Sequence, residues 1–160
     1  MKILLINGSP HRRGCVYTAL EEIAKTLEEE NIDTEIFQIG PNGHITSFMD
    51  RLFYAAGNRM AGKIGAAVVS CRRGGATAAF DRMNKYFLMN RMIVPGSQYW
   101  NQIHGLTRED ALKDKEGLQT MRTLARQTAW ILKCLDAGKK AGLPQPLQEP
   151  WLPTHFIQNT

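Results

Sequence analysis

The chain opens on a short continuous apolar run, Ile3-Leu4-Leu5-Ile6, stopped at once by Asn7-Gly8-Ser9-Pro10. A run apolar at every position and ended by turn residues is the pattern of a parallel strand covered on both faces, which predicts a central strand over Lys2 to Asn7. From about Tyr17 to Glu30 the apolar Leu20, Ile23, Ala24 and Leu27 recur at helical spacing, with Glu21, Glu22, Lys25, Glu28 and Glu29 opposite them. This is an amphipathic helix with Asn31 as a plausible cap, and Asp33 to Ile39 reads as a second strand. Together they form a β-α-β unit whose crossover is expected to be right-handed.

After the turn Gly40-Pro41-Asn42-Gly43, Ile45 to Ala56 places Ile45, Phe48, Met49, Leu52 and Phe53 on one helical face. Ile64 to Cys71 is a buried strand of small residues that ends in Arg72-Arg73-Gly74-Gly75, and Ala76 to Asn90 returns as helix. Met92 to Pro95 reads as a last short strand, and Gly96 to Gly105 as an aromatic-bearing loop. A long helix follows from about Lys115 to Ala141, with Leu118, Met121, Leu124, Ala125, Thr128, Ala129, Leu132 and Leu135 in one stripe. The tail from Leu143 holds Pro144, Pro146, Pro150 and Pro153 and is expected to extend along a surface. Alternating strands and helices imply an α/β domain with a doubly wound parallel sheet over residues 1–143, the tail at 144–160 lying outside it. Ligands of such sheets bind beyond the carboxyl ends of the strands, the edge that carries both Gly8 to Thr18 and Cys71 to Gly75.

Composition narrows the function classes. With 160 residues, 43% of them hydrophobic and 22% charged, the chain fits one soluble domain. The apolar start is too short for a signal peptide or a membrane span, so no membrane partner is expected. Cys15, Cys71 and Cys134 lie far apart without a Cys-x-x-Cys pair, which suits free thiols in a reducing cytoplasm and gives no metal site. The net charge of +5 is spread singly or in pairs along the chain, with no basic helical stripe, so nucleic acid is not the expected partner. Two basic pairs, Arg12-Arg13 and Arg72-Arg73, fall in loops after strands, where they favour a small anionic ligand.

The first of these loops carries the clearest chemistry. Gly8 and Gly14 permit a tight path, Ser9 and Thr18 offer hydroxyls, and a helix starting near Cys15 would aim free N–H groups at an anion. A plain β-α connection with a Ser or Thr cap is the structural alternative, but the loop is longer than the usual two to six residues. Spacing excludes other phosphate loops: the glycines are six apart and followed by Cys15 rather than Lys, and the dinucleotide Gly-x-Gly-x-x-Gly is absent. A tyrosine-phosphatase reading of Cys15 fails because Glu21 stands where those enzymes place Arg.

The run Asn7-Gly8-Ser9-Pro10, then Thr46-Ser47-Phe48-Met49-Asp50-Arg51-Leu52-Phe53-Tyr54, then Ser70-Cys71-Arg72-Arg73-Gly74-Gly75-Ala76-Thr77 and Ser97-Gln98-Tyr99-Trp100-Asn101, resembles the flavodoxin-like NADPH-dependent FMN reductase family. Its relatives include iron–sulfur flavoproteins and quinone reductases. The resemblance covers most of the chain and implies a flavodoxin-like three-layer α/β/α fold. It also implies that Ser9, His11, Gly14, Cys15, Tyr17 and Thr18 hold the FMN phosphate, that Cys71, Arg72, Arg73, Gly74 and Gly75 lie against the flavin ring, and that Asn42 joins the cofactor set. Arg72 and Arg73 read alternatively as a solvated turn, and Tyr99 and Trp100 as packing. The activity implied is hydride transfer from NAD(P)H to FMN and onward to a flavin, quinone or similar small acceptor. No catalytic side chain is named, because the flavin does the chemistry. A homodimer or homotetramer is implied as well. The rivals are a non-enzymatic flavodoxin-type electron carrier, against which the positive charge argues, and a flavin-free interaction protein.

The resemblance breaks at one place. Ile39-Gly40 runs straight into Pro41-Asn42-Gly43, and a helix-plus-strand segment of roughly 30 residues, with the central third strand of the family, has no counterpart. Either the chain truly lacks this segment or the two sides of the join flank a stretch not contained in the sequence; the second is the expectation, because losing that strand would leave the inner edge of the first strand unpaired. No iron–sulfur cysteine cluster is present to be assigned.

Overall fold

A computed structural model describes residues 1–39 and 42–154; of Asn42 it describes the backbone alone. The order is β1 (Lys2–Asn7), α1 (Cys15–Glu29), β2 (Asp33–Gln38), α2 (Asn42–Ala56), a short 3-10 turn at Gly57–Arg59, β3 (Val69–Cys71), α3 (Ala76–Met89), β4 (Gln102–His104), α4 (Arg108–Ala111) and α5 (Lys115–Lys140). It is an α/β fold with parallel strands, as the alternating pattern predicts. Chain reversal after α1 follows local rules: Asn31 takes a left-handed φ of 60°, and the Ile32 N–H closes onto the Leu27 carbonyl.

The strands form two separate pairs. β1 lies parallel to β2 in the register Lys2↔Asp33 to Asn7↔Gln38, and β3 lies parallel to β4 from Val69↔Gln102 to Cys71↔His104. Among the described residues no strand stands between β1 and β3. Gly40 and Pro41, where the sequence join falls, lie outside the described residues.

One expected strand is corrected. Met92 to Val94 contributes only a single bridge, Ile93 against Ile64, and the strand beside β3 is Gln102–His104, inside the segment read as a loop. The Asn101 side chain decides this. It is buried, and its amide donates to the Ala67 carbonyl at 3.0 Å, which seats the following residues beside β3. The short α4 also went unpredicted, although Thr107 and Asp110 close a capping box around it.

The cores sit on opposite faces of the strands. On one, α1 and α5 pack on each other and on the strands through Leu20, Ile23, Leu27, Met121 and Leu124, with Ile103 fully buried beneath them. On the other, α2 and α3 meet over Met49, Ala67 and Phe87. The predicted stripe on α5 is buried from Met121 to Ala129, whereas Leu118 and Leu132 are half-buried and Leu135 is exposed. Residues 143–154 carry no helix or strand and are exposed, the absence of helix matching the reading of a Pro-rich tail.

Candidate functional site

The loop after β1 is organised by two polar side chains at the ends of neighbouring strands. Asn7 is fully buried; its amide group donates to the Gln38 side-chain oxygen at 2.7 Å and to the Arg12 carbonyl at 3.2 Å. Its oxygen accepts from the Ser9 N–H at 3.0 Å, and Gln38 in turn donates to the Ser9 carbonyl at 2.7 Å. Register places Asn7 opposite Gln38, so parallel pairing of the two strands assembles this network. A buried amide with several satisfied groups fixes the backbone around it, because leaving any partner unpaired in the interior is costly.

At the far end of the loop, α1 starts at Cys15 with Gly14 as its N-cap, and no side chain caps it. The first-turn N–H groups have no partner within the helix, and they share their end with the positive pole of the helix dipole. A Cβ at Gly14 would meet the His11 Cβ at 2.9 Å, so the glycine lets the loop close tightly onto the helix. The Ser9 hydroxyl oxygen accepts from the His11 N–H at 3.2 Å, which leaves its proton free to donate. His11, Arg12 and Arg13 are exposed around this end. An uncapped helix start, a free hydroxyl and adjacent cations are a donor set suited to a phosphate.

The loop forms one end of a deep cleft with a volume of about 2070 Å³ that runs between the two strand pairs. Of the residues expected to bind cofactor, Ser9, His11, Gly14, Cys15, Cys71 and Arg72 all line this cleft, so residues some 60 positions apart in sequence converge. Tyr17 and Thr18 do not line it. Thr18 is buried and its hydroxyl donates to the Gly14 carbonyl at 3.3 Å, while Tyr17 packs its ring under the Arg108 guanidinium, 5.8 Å from the ring centre. Arg73, Gly74 and Gly75 stand off the cleft on an exposed turn, where Gly75 adopts a φ of 88° before α3. The side chain of Asn42 lies outside the description.

Cys15 lines the cleft, but its thiol points toward the loop after β4, donating to the Thr107 carbonyl at 3.1 Å and the Gly105 carbonyl at 3.4 Å. Burial pushes this thiol above the ordinary range, and the carboxylates of Asp110 and Glu109 push the same way. A thiol held protonated is a poor nucleophile. Its visible role is to tie the start of α1 to the β4–α4 loop.

Tyr99 and Trp100 lie tilted against each other, ring centres 5.0 Å apart and planes at 46°, and border a separate hollow of about 70 Å³. Sequence reasoning missed Asn7, Gln38 and the segment Gly105 to Glu109, which lines the cleft. Asn7 had a signal: a polar residue closing an apolar strand directly before Gly-Ser. Among the described residues no cluster of His, Cys, Asp or Glu could hold a metal ion, and no helix is long and apolar enough to cross a membrane.

Known proteins resemble this chain in sequence. An iron-sulfur flavoprotein of Methanocaldococcus jannaschii is 26% identical over an alignment of 127 residues that covers 72% of this chain, and the chain spans 66% of that protein's length. The sequence pattern of the NADPH-dependent FMN reductase family matches residues 1–44 and again 40–105. The two matched stretches meet at the join where the sequence departs from the family. With a parallel α/β fold and a family match over most of its length, the chain belongs to the NADPH-dependent FMN reductase family.

Proposed function

We propose that the cleft holds FMN, with its phosphate in the loop Gly8 to Gly14, and that the protein takes hydride from NAD(P)H and passes electrons to a flavin, a quinone or a similar small acceptor. The observation that carries this reading is the uncapped start of α1 beneath a loop held open by Asn7 and Gln38. When bound, the flavin supplies the hydride and electron chemistry itself.

The chain contributes binding and electrostatics. Ser9 donates its hydroxyl, the first N–H groups of α1 donate along the helix axis, and His11, Arg12 and Arg13 surround the anion. Arg72 and Cys71 stand on the opposite wall of the cleft, where a guanidinium lowers the cost of added negative charge. No side chain is assigned a proton-transfer role. A basic surface draws phosphorylated nicotinamide, which favours a reductase over a simple carrier.

Residues 1–143 would form the flavin-binding unit. The exposed Trp130 and Leu135 of α5, with Leu147, Trp151 and Leu152 of the tail, offer apolar surface for pairing subunits. The three free thiols suit a cytoplasmic protein.

The test is the visible spectrum of the purified protein before and after incubation with FMN, followed by steady-state NADPH oxidation. Bound-flavin absorption and turnover with a quinone are expected. Bound flavin without turnover would leave an electron carrier, and a preparation that stays colourless would overturn the reading.

A further inference from the structure

The exposed pair Tyr99 and Trp100 stands on a fixed segment. The Asn101 amide is bound to the Ala67 carbonyl at 3.0 Å, and the Ser97 hydroxyl donates to the Asn101 side-chain oxygen at 2.7 Å and accepts from the Tyr99 N–H at 3.4 Å. The two rings keep 60% and 48% exposure and border the hollow of about 70 Å³ together with Gln102, Gly117 and Thr120. That is room for roughly two waters, too little for a cofactor. The nearest carboxylate is already engaged: Asp114 accepts from the His104 N–H at 2.6 Å and from the Gly117 N–H at 2.9 Å. The positive start of α5 opposes a cation in the hollow, and Glu116 opposes an anion. What fits is a small neutral ring laid against aromatic faces.

The tail supplies such rings. Pro144, Pro146, Pro150 and Pro153 fix φ and favour the polyproline helix, which has three residues per turn. The contacts of the tail with the body follow that period. Gln145 packs on Gly62, where an added Cβ would meet its side-chain nitrogen at 3.1 Å, and Gln148, three residues on, accepts from the Arg91 guanidinium at 2.7 Å. With 145 and 148 turned inward, Pro144, Leu147, Pro150 and Pro153 share one outward row, and all four are exposed. Beyond the anchor at Gln148 the chain carries Pro150-Trp151-Leu152-Pro153, a Pro-x-x-Pro unit in which Trp151 and Leu152 are 84% and 88% exposed. Segments of this kind dock in aromatic-lined grooves.

We propose that the arm at residues 150–153 of one copy of this chain docks on the shelf of Tyr99 and Trp100 of a second copy, with a proline ring seated in the hollow. The proposal rests on the reading that the tail pairs subunits, and it names the surface the tail reaches. Within one chain arm and shelf do not meet: both stay exposed, and the arm is fastened to its own body at Gly62 and Arg91. A second copy holds both halves of the contact, and exchange of two identical arms closes about a two-fold axis, each copy giving one arm and receiving one. Proline presents neutral C–H groups to the rings, and a segment already extended loses little freedom on docking. Glu149, the one charged residue between 143 and 154, lies off the row of Pro150 and Pro153. Neither the arm nor the shelf lines the cleft, so the proposal does not depend on flavin.

Sedimentation equilibrium of the full chain and its variants tests it, with circular dichroism to confirm that each variant is folded. A dimer is expected, and Trp100→Ala, or Pro150→Ala together with Pro153→Ala, should each weaken it by about tenfold or more. Trp100→Phe keeps an aromatic face and should retain it. Mixing the Trp100→Ala chain with the doubly substituted proline chain leaves one intact arm and one intact shelf, so the mixture should associate more tightly than either variant alone. No gain on mixing would overturn the exchange of arms. A dimer indifferent to these changes but lost in Trp130→Ala with Leu135→Ala would overturn it as well, while keeping subunit pairing through α5. A parent chain that stays monomeric at every concentration would overturn both.

Discussion

The two faces of the strands are built differently. On the face covered by α1 and α5, buried apolar residues run without a break from Leu5 to Ala129, and Ala19, Ile103, Met121 and Ala129 have no exposure at all. On the face covered by α2 and α3, the buried apolar cluster among the described residues is just Met49, Ala67 and Phe87, and Leu88, Met89 and Tyr54 are left in solvent. The helices themselves are comparable amphipathic elements. What differs is what they rest on. α1 and α5 pack against each other and bridge both strand pairs, so the cleft beneath them does not interrupt their contact. α2 and α3 meet through the Phe53–Tyr86 and Phe53–Phe87 ring contacts and a Tyr86–Asp50 hydrogen bond, with the open cleft below. A helix face is only as buried as the surface under it.

Truncations give the largest contrast. Met121→Ala removes a side chain packed on every side and is expected to cost about 3 kcal/mol, whereas Met83→Ala, on the half-buried wall of the cleft, is expected to cost about 1 kcal/mol. Denaturant midpoints measure both; equal losses would mean that the two faces are equally consolidated in solution.

Asn7→Ala comes next. It strips the Ser9 N–H, the Arg12 carbonyl and the Gln38 side chain of a buried partner, and about 2 kcal/mol of stability should go with it. FMN titration of the folded variant should show weaker binding than in the parent protein; unchanged affinity would separate the network from the cradle.

The thiols report the same difference by rate. Cys15 is buried and held protonated, so alkylation at pH 8 should lag behind that of Cys71 at the cleft and Cys134 at the surface by on the order of tenfold. Site-resolved mass spectrometry reads this directly, and Cys15 reacting as fast as Cys134 would mean that α1 opens readily.

The smallest effect is expected where α1 and α5 meet at the surface. The Lys133 ammonium, by hydrogen bond and charge, holds the Glu30 carboxyl below its ordinary 4.5. A group whose folded value is depressed stabilises above its unfolded pKa and loses that contribution as pH falls through the folded one. Lys133→Ala should therefore lower the melting temperature slightly at pH 7 and leave it unchanged below about pH 3. An equal loss at both pH values would point to packing by the lysine stem instead.

Much of the fold was legible because it is local. The strand Lys2 to Asn7, the helical stripe Leu20, Ile23, Ala24 and Leu27, and the reversal at Asn31 follow from periodicity and turn chemistry within a few residues. The strand Gln102–His104 was not legible, because three residues carry no period and their pairing hangs on the Asn101 amide reaching Ala67. The same division holds at the site. The path of the Gly-Ser loop into α1 follows from its local sequence, but that Cys15 spends its thiol on Gly105 and Thr107, and that Thr18 turns inward, are contacts decided by side-chain direction in three dimensions.

By itself, then, the sequence determined most of the elements and the break at Gly40-Pro41, all of which depend on neighbours along the chain. Only the tertiary structure decided that, among the described residues, the strands stand as two pairs with unpaired backbone between them, and that Ser9 and Arg72 share one cleft. Strand pairing joins residues far apart in sequence, and its hydrogen bonds are made by backbone groups identical at nearly every position, so no pattern of side chains records which edge has been left open.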